Sequence, residues 1–248
     1  MTKLMTMLAA ALLVGTASYG RTDTIPDTTA VNNHGNVTAE QRGDLARLHN
    51  ENAQAVSFYR EALREDRQNA ALLNKLGVAQ LQLGQRSPAR NSFKQSLKLD
   101  PTSYSALSNL GAISLLEAKY KAAIEYFNRA LALNETIAAT HLNLAEAWMG
   151  QGDIDHATAE YARAVALDPD VLIESTGGVQ AQTVSPAQRA LASYLLAKTY
   201  MKRGNIDIAL DYLAKAKDMH YADLAKVYAD SDFAALWQDP RLAKIVAR

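Results

Sequence analysis

The chain has 248 residues, 48% hydrophobic and 21% charged, proportions of an ordinary globular protein with enough apolar surface for a substantial core. Its 26 Lys+Arg balance its 26 Asp+Glu, so no net charge marks it for nucleic acid or an acidic bilayer surface. Cysteine is absent, which removes disulfides, thiolate nucleophiles and cysteine-based metal sites.

Residues 1–20 read as an export signal. Lys3 supplies a positive start, Leu4 to Val14 are continuously weakly apolar, and Gly15, Ala17, Ser18 and Gly20 offer small-x-small cleavage points. The apolar stretch is shorter than the roughly 20 residues a spanning helix needs. No charge appears between Lys3 and Arg21, so an uncleaved anchor is the alternative. Either reading predicts a periplasmic or secreted protein. Residues 21–37 are polar, contain Pro26 and Gly35, and show no apolar period; they read as a flexible linker.

Beyond residue 38 the chain repeats itself. Leu76-Gly77, Leu110-Gly111 and Leu144-Ala145 stand 34 residues apart, and so do Ala89, Ala123 and Ala157, then Phe93, Phe127 and Tyr161, then Ser96, Ala130 and Ala164. Each unit holds two apolar-periodic stretches at helical spacing, for example 71–82 and 86–98, with Gly84 between them. Gly84, Gly152 and Gly204 share this turn position, where positive φ ends a helix cheaply. Gly77 and Gly111 lie inside helices, where glycine costs up to about 1 kcal/mol against alanine and is explained by a close helix contact. The alanines are expected to face these glycines and the aromatic rings to fill the wider gaps.

The pattern gives four units over 38–171. The first is degenerate, with Arg42 in the leucine position and a Thr38/Gln41 capping box. An insertion follows at 172–189 and displaces the register by 18 residues. It carries Gly177-Gly178 and is either a lid over the inner face or a spacer. Ser185-Pro186-Ala187-Gln188 restarts a helix, and a fifth pair runs over 190–220. Residues 221–248 form a helical cap whose Phe233, Leu236, Trp237 and Leu242 are expected to cover the end of the stack.

These residues resemble the tetratricopeptide repeat family, in particular exported bacterial members. The resemblance implies an all-α, right-handed superhelix that binds a peptide or partner protein on its concave face. By the same resemblance the sixth groove position is Lys75, Asn109, Asn143 and Leu195. The ninth is Val78, Ala112, Glu146 and Lys198, and the twelfth is Leu81, Leu115, Met149 and Met201. Asn109 and Asn143 would bond the backbone of an extended peptide, and the methionines would give an adaptable apolar floor or else serve core packing. Of the family's clamp for chaperone tails only Lys75 is approximated.

No catalytic signature accompanies the repeats. None of the five histidines lies three or four residues from another, and GxSxG, HExxH and the phosphate-cradling loop are missing. His141, at an apolar position, reads as a satisfied core histidine. The expectation is a non-enzymatic adaptor without cofactor or metal, with no nucleic-acid partner and no membrane span after signal cleavage. The alternatives are a self-associating envelope component joined through the C-terminal cap and, further off, a carrier of a small ligand.

Overall fold

The computed structural model describes residues 37–172 and 185–247. The export signal at 1–20, nearly all of the linker and the middle of the insertion, 173–184, lie outside the described residues, as does the proposed lid or spacer role of that segment.

Eleven α-helices and two 3-10 turns make up the described residues, with no strand among them. Ten helices form five antiparallel pairs: α1 (Ala39–Leu48) with α2 (Asn52–Glu65), α3 (Ala70–Gln82) with α4 (Arg86–Leu99), α5 (Tyr104–Leu116) with α6 (Tyr120–Leu133), α7 (Ala138–Gln151) with α8 (Ile154–Leu167), and α9 (Pro186–Lys202) with α10 (Ile206–Asp218). The 3-10 turns at Leu224–Tyr228 and Ser231–Leu236 and helix α11 (Pro240–Val246) close the C-terminal end. Side-chain caps set several of the starts. Thr38 and Ser185 form capping boxes with Gln41 and Gln188, and Asn69, Ser103 and Asp153 each accept from a first-turn amide.

The contact that nests each pair differs from the one the alanines suggested. A Cβ added at Gly77 would meet Phe93 Cε1 at 2.5 Å, at Gly111 Phe127 Cε1 at 2.6 Å, and at Gly43 Tyr59 Cε1 at 2.5 Å. The ring of the second helix lies flat where the first helix has no side chain, and the alanines pack beside it, fully buried. A ring so enclosed adds about 1.5–3 kcal/mol of burial, enough to outweigh the propensity cost of a mid-helix glycine. Tyr59, Phe93, Phe127 and Tyr161 have at most 1% of their surface exposed. Where Ser96 replaces the alanine of other units, its hydroxyl donates to the Ala70 carbonyl at 2.7 Å, so the buried polar atom is satisfied.

The turns within pairs follow one geometry. Gly84, Gly152 and Gly204 have φ of 73, 82 and 76°, and the register equivalents Asn50 and Ala118 have 60 and 55°. The sequence pattern found the glycines; Ala118 adopts the same left-handed turn without the residue suited to it.

At the C-terminal end Phe233, Leu236 and Leu242 are fully buried against the last pair. Trp237 differs from its expected covering role: it is 41% exposed, and its indole Nε1 donates to the Val227 carbonyl at 3.0 Å, pinning one 3-10 turn on the other.

Gly111→Ala should lower the unfolding free energy by about 1–3 kcal/mol in urea titrations, and the loss should shrink in a Phe127→Leu background, because ring and Cβ compete for one space. Ala118→Gly should raise stability by up to about 1 kcal/mol by removing the left-handed strain, with unchanged helix content by circular dichroism.

Candidate functional site

The inner-face positions taken from the repeat register fall into two classes. Val78 and Ala112 are 4% and 2% exposed and belong to the core between pairs. Asn109 is buried, and its Nδ2 donates to Asn74 Oδ1 at 3.0 Å, so it ties α5 to α3. Asn143 is 1% exposed. Neither amide stands open as a rung for peptide backbone, because adjacent first helices pack closely enough to bury their sixth positions. Lys75 bridges back to the first pair, 2.7 Å from Asp44 and 2.9 Å from Glu40. Burial works against its charge, but the bonds from these two carboxylates prevail and raise the ammonium above its ordinary value.

The inner face stays open further along, between α5, α7 and α9. There a cavity of about 300 Å³ is bounded by Leu115 and Leu116 of α5, Tyr120 at the start of α6, Met149 and Gly150 of α7, and Leu191 of α9. Glu146, Tyr161 and Gln188 complete its wall. Gly150 is required here, since a Cβ would come within 2.2 Å of Tyr120 Cε1. Two expected positions, Glu146 and Met149, thus meet with the expected floor residue Leu115. Tyr120, Gly150, Tyr161 and Gln188 were not identified from the sequence as parts of a site. Gln188 appeared only as a capping residue, although its amide reaches 42 positions back along the chain.

Glu146 is 2% exposed. Its Oε1 accepts from the Tyr161 hydroxyl and its Oε2 from Gln188 Nε2. Burial raises this carboxyl to about 7, and the two hydrogen bonds offset only part of that effect. Tyr161 is pushed well above its ordinary value by its own burial and by the neighbouring Glu146 charge.

A second concavity, about 660 Å³, separates α8 from α9 at the place where the insertion interrupts the register. Ala159, Ala162 and Leu195 give it an apolar base, with Arg163, Lys198 and Lys202 at its sides. Three of its cations are engaged in ion pairs, and Arg203 lies over the Tyr200 ring. Lys198 lies 2.7 Å from Asp230 and 3.1 Å from Asp232, Lys202 lies 3.4 Å from Asp232, and Arg163 lies 2.7 Å from Glu160. Lys198 therefore braces the C-terminal cap, while Met201 is half-buried against the last core.

His141 is 6% exposed with both ring nitrogens bonded, Nδ1 to Glu160 at 2.6 Å and Nε2 to the Glu135 carbonyl at 3.0 Å, as a structural histidine should be. Among the described residues no group of three or more His, Asp or Glu is placed to hold a metal ion, and no helix is long and apolar enough to cross a membrane.

The tetratricopeptide repeat model matches residues 46–113 and 114–174. No curated protein matches the chain. Among solved structures, a crystal structure of MamA is 26% identical with a TM-score of 0.52, covering 71% of this chain and 93% of its own. YrrB, described as a TPR protein with an unusual peptide-binding site, is 22% identical with a TM-score of 0.51, covering 77% and 89%. TTC0263, a thermophilic TPR protein of Thermus thermophilus, is 22% identical with a TM-score of 0.52, covering 77% and 95%. The likenesses at 22% carry the fold alone.

The raised carboxyl makes stability depend on pH with a definite sign. The folded state holds a proton on Glu146 up to about pH 7, whereas the unfolded chain releases it near 4.5, so this group favours folding increasingly as pH falls from 7 towards 4.5. Wild type should gain stability relative to Glu146→Gln on the order of 1–3 kcal/mol between pH 8 and pH 5, read as the difference between their thermal unfolding curves.

Proposed function

Because the chain belongs to the tetratricopeptide repeat family, we propose that it is a non-enzymatic adaptor that holds a segment of a partner protein in the cavity between α5, α7 and α9. One observation carries this reading. At most inner-face positions of the first three pairs the side chains are consumed by packing or ion pairs, whereas Leu115, Met149 and Leu191 stay partly accessible around a cavity large enough for one or two side chains. Methionine and leucine at such a rim suit an apolar contact that tolerates variation in its occupant. The peptide-binding description of YrrB is in keeping with this use of the scaffold.

The same reading places the chain outside the cytoplasm, in the periplasm or secreted, on the strength of residues 1–20. N-terminal sequencing of chain recovered from fractionated cells should give a start near residue 21; a full-length chain confined to the cytoplasm overturns the export proposal.

Self-association through the C-terminal cap is the alternative role. Phe233 and Leu236 are spent inside the cap, which leaves Tyr228 and Trp237, 42% and 41% exposed, as its large exposed apolar side chains. Two half-exposed rings are small beside the contiguous apolar area that a stable interface needs. Sedimentation velocity should accordingly give one concentration-independent species.

A photo-reactive amino acid placed at Leu191 should cross-link a partner polypeptide in the expressing cell, while the same group at Lys121 on the outer surface should not. Adducts concentrated at Thr158 instead would move docking to the α8–α9 groove, and adducts at neither position would remove the docking reading. Met149→Glu should weaken capture of the cross-linked partner about tenfold or more, the loss expected for one buried methionine contact.

A further inference from the structure

Glu146 differs from the other carboxylates that the fold draws inward. Asp44 is met by Lys75, Glu160 by Arg163 and His141, and Asp230 by Lys198. Glu146 receives only the neutral donors Tyr161 and Gln188, and no lysine, arginine or histidine lines the cavity among the described residues. A buried carboxylate without a counter-charge is destabilising, and such a group persists where something other than the fold compensates it. The titratable groups facing it are both tyrosines, Tyr161 from α8 and Tyr120 from α6; α5 and α9 contribute leucines and Gln188.

We propose that this cavity takes a lysine side chain of the bound partner segment, the ammonium against Glu146 and the methylene stem between Leu115, Met149 and Leu191. The inference rests on the reading of this cavity as the docking site. An alkyl stem with a cationic head matches an apolar shaft that ends in an acid. Lysine fits better than arginine for a geometric reason. One acceptor direction on each carboxylate oxygen is already used by Tyr161 and Gln188, so at most one lone pair per oxygen remains; that suffices for a compact three-donor ammonium, whereas most of the five donors of a guanidinium would go unpaired in a cavity lined mainly by apolar side chains. The tyrosine rings bordering the cavity add favourable faces for a cation. Binding a cation here lowers the carboxyl's proton affinity, and by reciprocity ionising the carboxyl strengthens binding.

The test uses three blocked tripeptides with lysine, arginine or norleucine at the centre, followed by NMR on the full chain with labelled glutamate, methionine and leucine. At pH 8 the lysine peptide should bind about tenfold or more tightly than the norleucine peptide and more tightly than the arginine peptide, with shifts at Met149 and Leu191. That advantage should fade as pH is lowered through 7, and the Glu146 carboxyl should titrate about one pH unit or more lower when the lysine peptide saturates it, the linkage partner of a tenfold affinity gain. Glu146→Gln should equalise lysine and norleucine; the wild-type pH series carries the same information if that variant folds poorly. Equal binding of lysine and norleucine with an unmoved titration overturns the cationic inference and leaves an apolar docking site standing. Preference for arginine overturns the choice of head group. Binding of none of the three overturns the inference, and the docking reading itself falls only if cross-links at Leu191 are also absent.

Discussion

The first three pairs depend on an aromatic ring lying over a helix backbone that has no side chain beneath it. Phe93 over Gly77, Phe127 over Gly111 and Tyr59 over Gly43 bring paired helices together at a spacing that even one methyl group would disturb. With that contact made, the flanking alanines close against one another and each pair presents a shaped outer face to the next. The fourth pair shows how far the rule bends. Ala145 stands where glycine stood, the ring becomes Tyr161, and the ring's hydroxyl reaches Glu146. The first pair makes the same kind of bond with its glycine kept, Tyr59 donating to Asp44 at 2.7 Å beside Gly43, so the hydroxyl-to-acid contact does not require the loss of the glycine.

What sets the two acids apart is their second partner: Asp44 is also met by Lys75, whereas Glu146 is met by the neutral Gln188. At most inner-face positions of the first three pairs the side chain is absorbed by the neighbouring helix, as with Asn109 on Asn74 or Lys75 on Asp44, while Leu115 of the third pair borders the cavity. Between the fourth and fifth pairs the insertion breaks the register, α9 begins at Ser185 with its own cap, and the strip between α8 and α9 is left as a groove. On the inner side the same displacement brings Gln188 of the first turn of α9 to Glu146 of α7, so the irregular joint supplies both the opening and the polar atoms that define it.

Repetition made most of the architecture legible from residue identities. Leu-Gly, alanine, aromatic and turn glycine at fixed spacing report contacts inside one pair or between neighbours, and these depend on short chain separations. Ala118 and Trp237 escaped the pattern for opposite reasons. The turn tolerates a left-handed alanine because both flanking helices hold it, and the indole found a carbonyl partner that no periodicity announces. The aromatic positions were recognised, but their target was assigned to the alanines, because spacing alone does not tell which of two neighbouring small residues lies under a ring.

Residue order by itself determined that this is an all-helical stack of nested pairs with a break after the fourth, since those features follow from periodicity, caps and turn residues acting over a few positions. Which inner-face side chains remain available was decided only in three dimensions. Asn109, Asn143, Val78 and Ala112 occupy the same kinds of register position as Glu146 and Met149, yet the former are taken into packing and the latter border a cavity. The difference arises from how closely the next helix approaches, and contacts such as Gln188 to Glu146, 42 positions apart, are ones that no local pattern encodes.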